Sequence, residues 1–129
     1  MGGRVDVMFA TLPSVMSQIQ GGTVRALAVT SATRVPFAPN IPTVAESGLP
    51  GFDVTDGQCL FMPSKTPPEY IKKVHDDVIA ALAYEPVKQK FVDINVLIET
   101  SAPEGVTSYL KAQMAKWGAI IKDANIKLE

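Results

Sequence analysis

Cysteine and histidine are nearly absent from this sequence: its 129 residues hold one of each, Cys59 and His75. A lone cysteine closes no disulfide within the chain and supplies no Cys-based zinc site. A lone histidine removes the triads that need a His base between nucleophile and orienting carboxylate. An excess of positive charge is missing too, since 12 Lys+Arg stand against 13 Asp+Glu for a formal net charge of −1. Binding to nucleic-acid phosphates requires a basic excess or stripe, so no nucleic-acid partner is expected. Nor is there a polybasic run to hold an anionic membrane surface. The stretch between Asp6 and Arg25 is uncharged, but Pro13, Gln18, Gln20, Gly21 and Gly22 break it well short of a membrane span. Neither the dinucleotide glycine fingerprint nor the P-loop pattern occurs. The opening residues lack the charged, apolar and small-residue regions of a secretory signal.

What is present is the composition of a folded domain, 47% hydrophobic and 19% charged. The apolar run Val5–Phe9 reads as a short buried strand. Thr11 offers an N-cap, Pro13 suits a first helical turn, and Val15, Met16 and Ile19 give that helix an apolar face. Gly21-Gly22 ends it. Val24–Thr30 is almost continuously apolar and reads as a second strand, buried on both faces. Strand, helix and strand in so short a stretch predict a βαβ unit with a parallel pair.

Prolines 36, 39, 42 and 50 mark a loop-rich middle, with one helical turn over Thr43–Ser47 closed by Gly48. Phe52–Val54 and Cys59–Met62 read as two pieces of a strand interrupted around Asp56-Gly57, stopped by Pro63. Thr66-Pro67-Pro68-Glu69 and Ser101-Ala102-Pro103-Glu104 have the spacing of capping boxes, predicting two long helices. Ile71, Val74, Val78 and Leu82 line the first of these. Glu85-Pro86 restarts a shorter helix through Phe91, and Val96–Ile98 is a third strand. Val106, Tyr109, Leu110, Trp117, Ile120, Ile121 and Ala124 form the apolar face of the last helix, with Trp117 in the core. The class is α/β.

Few residues offer chemistry. His75 lies on the polar side of its helix among Lys72, Lys73, Asp76 and Asp77, a solvated face rather than a metal ligand. Cys59 sits in an apolar run and reads as an inert thiol. Asp76 and Asp77 are helix neighbours that do not face one cleft, so they make no acid/base couple. No enzyme, metal or cofactor is therefore expected. The turn Phe9–Ser14 is different, because a strand end feeding a helix start is where open α/β sheets hold ligands. Its backbone N–H groups, the helix dipole and the Thr11 and Ser14 hydroxyls suit an anion such as a carboxylate. An ordinary N-cap without a ligand explains the same spacing.

Several blocks in order carry a resemblance. Gly3–Phe9, Gly22–Ser31, Pro42–Phe52, Leu60–Pro63 and the closing helices with Trp117 together resemble the Bug family. These are the TctC-like extracytoplasmic solute receptors of tripartite tricarboxylate transporters. The resemblance spans essentially all 129 residues. It implies the C-terminal part of a two-lobed, type II-like periplasmic binding protein, with incomplete lobes. Residues 1–55 would complete the second lobe, and residues 56–129 would cross the hinge and complete the first. It further implies a small carboxylate solute, membrane subunits of the transporter as partners, and a periplasmic location.

The family's principal carboxylate-gripping turns have no counterpart in this sequence. The ligand-binding candidates are therefore Thr11 and Ser14 as polar contacts, with Phe9 and Ala10 as wall and backbone. Where the family commonly carries an aromatic pair and a glycine before the Leu-Phe step, this chain has Asp56-Gly57-Gln58-Cys59. Gln58 is an amide candidate in place of that aromatic wall. The alternative is a truncated receptor remnant that binds no solute and covers its open edges as a homo-oligomer or swapped dimer.

Overall fold

The computed structural model describes residues 3–127. Four helices form among them: α1 (Leu12–Gln20), α2 (Pro68–Ala83), α3 (Glu85–Asp93) and α4 (Pro103–Asp123). Contacts divide the chain into two units, Met1–Gln58 with Tyr84–Ile98, and Cys59–Ala83 with Glu99–Glu129. The units interleave along the sequence.

In the first unit, α1 begins behind Thr11, whose backbone is extended (φ −69°, ψ 139°), and Pro13 occupies its first turn. Its end is built by glycine. Gly22 takes φ +69°, and the amides of Gly22 and Thr23 return to the carbonyls of Ile19 (3.1 Å) and Gln18 (3.0 Å). These are the two bonds of a Schellman motif, which needs a left-handed residue at that position. Met16, on the apolar face of α1, is buried.

The strands read from sequence do not form. Among the described residues the sheet structure is one parallel bridge, Val29 with Thr43. Val29 donates to the Pro42 carbonyl at 2.8 Å and accepts from Val44 at 2.9 Å. The expected pair of Val5–Phe9 with Val24–Thr30 is absent, as are strands at Phe52–Val54, Cys59–Met62 and Val96–Ile98. Nor are the apolar runs buried: Phe9 is 83% exposed and Leu27 64%. Hydrophobic patterning marks a segment that fits a sheet, but a ladder needs partner backbone, which these residues do not supply to one another.

The first unit is held instead by a side-chain knot in its loop-rich middle. Thr43, only 1% exposed, accepts the Glu46 amide on its hydroxyl at 3.0 Å, while Glu46 Oε2 accepts the Thr43 amide at 2.7 Å. That reciprocal pair is a capping box around the turn Thr43–Ser47, and Gly48 closes it at φ +117°. Arg34 Nε donates to both Glu46 oxygens (3.1 and 2.9 Å), and its Nη1 donates to the Pro39 carbonyl (3.1 Å).

In the second unit α2 and α4 form at the expected positions without the expected caps. Pro68 opens α2, one residue later than a Thr66 cap requires, and Ile71 and Tyr70 donate to the Pro67 carbonyl. The cap position of α4 is Ala102, with no side-chain bond, so the Ser101–Glu104 box is also unmade. Proline at the start of each helix lacks an N–H, which removes part of the demand a cap serves. Ile71, Val74, His75, Ile79 and Leu82 form the half-buried side of α2. On α4, Val106 and Leu110 are half-buried, but Trp117 is 41% exposed and not a core residue.

Candidate functional site

The turn Phe9–Ser14 precedes α1, as the sequence required. The Ser14 amide (3.0 Å) and hydroxyl (2.7 Å) both donate to the Thr11 carbonyl, and the Thr11 hydroxyl donates to Ser14 Oγ at 3.2 Å. Thr11 thus holds the cap position without capping through its side chain. The consequence is chemical. The amides of Ala10, Thr11 and Leu12 meet no acceptor among the described residues, so the turn presents donors at the positive end of the helix dipole. No carboxylate lies in the first turn to neutralise them. The sequence pointed to the right helix start but not to these particular donors.

Phe9, Ala10, Thr11 and Ser14 are all exposed, and the turn is an open surface rather than an enclosed cavity. Gln58 is exposed as well, in the open run before Pro63, and makes no hydrogen bond to the turn. Thr11 and Ser14 are therefore brought together by the fold, and Gln58 is not joined to them by any bond.

Outside this turn, Glu46, the Lys72 and Lys73 pairs and His75 make the polar contacts of note. Glu46 lies below its ordinary pKa of 4.5, held there first by the Thr43 amide and then by Arg34. The Glu46 knot was missed in the sequence, although its T-x-x-E spacing is the same signal that was read at Thr66 and Ser101. In the second unit Lys72 and Lys73 each pair one turn on, with Asp76 and Asp77 at 2.6 Å, on the solvated face expected. His75 spans Asp76 Oδ1 and the Ser101 carbonyl, both at 3.3 Å. An open depression of about 510 Å³ lies beside it, lined by Pro68, Glu69, Ile71, Lys72, Pro103 and Glu104. Among the described residues no three His, Cys, Asp or Glu side chains gather to hold a metal ion.

Comparison with solved structures places this backbone among receptors. It matches the R. palustris protein Rpa4515, solved with adipate, at a TM-score of 0.83 and 30% identity, over 96% of this chain and 42% of that one. The periplasmic binding protein BugD matches at 0.75 and 32% identity, over 89% of this chain and 39% of that one. The fold is thus that of part of a periplasmic binding protein. A family model described as the tripartite tricarboxylate transporter family receptor matches residues 1–126, and the chain belongs to that family. In Pseudomonas sp. (strain P51), the "UPF0065 protein in tcbD-tcbE intergenic region" is 33% identical over 122 residues, 94% of this chain and 36% of that relative. The chain spans about two fifths of each of these three proteins. The family is one of binding proteins.

Proposed function

We propose that this chain contributes to a periplasmic receptor for a small carboxylate, which passes its solute to the membrane subunits of a tripartite transporter. The observation that carries the reading is the Phe9–Ser14 turn, with free amides on a helix start, in a chain of the receptor family. Ala10, Thr11 and Leu12 offer N–H groups, and the Thr11 and Ser14 hydroxyls stand beside them. A carboxylate set there accepts charge-assisted hydrogen bonds, and Phe9 supplies an apolar wall to a short aliphatic chain. The adipate in the R. palustris neighbour is a solute of this chemical class. In the reading by resemblance, residues 1–55 belong to one lobe and 56–129 cross to the other, and closure of the lobes excludes water from the anion.

Thermal melts against mono-, di- and tricarboxylates test the reading. One of them should raise the melting temperature saturably, and Thr11→Val with Ser14→Ala should abolish the rise. A melting temperature blind to every carboxylate overturns it.

A second reading has its own observation. The chain exposes 10580 Å², against roughly 6600 Å² for a folded monomer of its mass. Surface of that extent favours the alternative in which the chain self-associates. A light-scattering mass that rises with concentration is the expected result, and a single monomer peak throughout refutes it.

A further inference from the structure

The side-chain carbonyl of an aspartate or asparagine lies within reach of the next residue's backbone nitrogen. Whether the two react depends on what holds that nitrogen. The amide after Asn40 donates to the Ala38 carbonyl at 3.1 Å, and the one after Asp53 donates to Thr30 at 2.8 Å. Those after Asn95 and Asn125 return to Phe91 (2.9 Å) and Ile121 (3.0 Å). The amides after Asp76, Asp77, Asp93 and Asp123 lie inside or at the end of a helix ladder. Among the described residues two steps escape such bonds, Asp6-Val7 and Asp56-Gly57. Val7 is branched at Cβ, which crowds its nitrogen, whereas Gly57 has no Cβ. Residues 55–58 are all exposed and form no turn or bridge, and the Asp56 carboxylate makes no hydrogen bond or ion pair among the described residues.

We propose that Asp56-Gly57 is a site of spontaneous backbone modification, from aspartate to isoaspartate through a cyclic imide. The Gly57 nitrogen attacks Cγ of the protonated Asp56 carboxyl. A new N–C bond forms, and the amide hydrogen leaves with the carboxyl hydroxyl as water. Water then adds to one of the two ring carbonyls. Addition at Cγ restores aspartate. Addition at the main-chain carbonyl carbon breaks its bond to the Gly57 nitrogen, so the chain continues through Cβ and Cγ and the carboxylate remains on Cα. The water lost is regained, and no other reactant is consumed. The product carries one extra main-chain carbon between Val54, tied to the Thr30 carbonyl, and Cys59, where the second unit begins.

The test ages the full chain in heavy-oxygen water at neutral pH and digests it in ordinary water. Mass spectrometry with a fragmentation that separates isoaspartate from aspartate then reads each site. Residue 56 should gain heavy oxygen and accumulate isoaspartate, while Asn40, Asp53, Asn95 and Asn125 stay unlabelled. Gly57→Val should slow the change at least about tenfold, because a branched Cβ shields the attacking nitrogen. Asp56→Glu, whose longer side chain cannot close the five-membered ring, should abolish it. Circular dichroism should show unchanged helicity in both variants, since the position is exposed and outside the helices. Labelling at residue 56 no faster than at Asp6, or unaffected by Gly57→Val, overturns the assignment.

Discussion

At the scale of single residues, Glu46 does more than its exposure suggests. Its carboxylate joins the Thr43 amide, Arg34 Nε and, through Arg34, the Pro39 carbonyl. The Thr43 amide, ahead of Arg34, holds the Glu46 pKa below 4.5. A depressed folded-state value means that this contribution to stability is fully present above the unfolded value and disappears as pH falls through the folded one. Acid should therefore weaken the first unit below the ordinary glutamate range. Glu46→Gln should lower stability at neutral pH and flatten that acid limb, read from urea midpoints across a pH series. Thr43→Val removes the reciprocal hydroxyl from a nearly fully buried site and should cost about 1 kcal/mol at neutral pH. The exposed Lys72–Asp76 and Lys73–Asp77 pairs are the counterexample: their bonds are short, but solvent screening leaves them little energetic weight.

At the scale of elements, helices formed where local signals coincide, and strands failed where only patterning supported them. The Gly22 end of α1 and the Pro86 start of α3 involve bonds a few residues apart, so a short sequence specifies them. The same locality separates two glycines. Gly118 lies inside α4 with nothing within 4 Å of an added Cβ, so Gly118→Ala should stabilise the helix by about 0.5–1 kcal/mol. Gly22 has equal space but a φ of +69°, so Gly22→Ala should destabilise α1 by about 1 kcal/mol. Thermal melts followed at the helix signal distinguish the two signs. The capping boxes at Thr66 and Ser101 failed because a third helix-start signal, proline, sits beside them and sets a different first residue. The overlooked box at Thr43 succeeded because Arg34, nine residues upstream, clamps its glutamate.

At the scale of the whole molecule, the buried apolar residues among those described are Met16 and Ala38 alone. A denaturant slope follows the surface exposed on unfolding, so the isolated chain should unfold with a urea m-value of about 1 kcal/mol per M or less. A steep, fully two-state transition at low concentration would contradict the exposure of Val7, Phe9, Leu60 and Phe61, all at least 69% exposed except Leu60 at 68%. The backbone nonetheless follows the receptors closely, with TM-scores of 0.75 and 0.83 over about two fifths of their length. Local structure and family path are thus in place, while the surfaces that would close a core remain open.

The sequence by itself determined the helix positions, the glycine stops, the family, and Thr11 as the residue before α1. Each rests on contacts between residues close along the chain or on long blocks read in order. Tertiary structure alone decided that Val5–Phe9 and Val24–Thr30 do not pair with one another, that Trp117 is exposed, and that Arg34 locks Glu46. The physical reason is that apolar patterning records which side of a segment prefers to leave water, whereas burial and ladder hydrogen bonds depend on what backbone lies alongside.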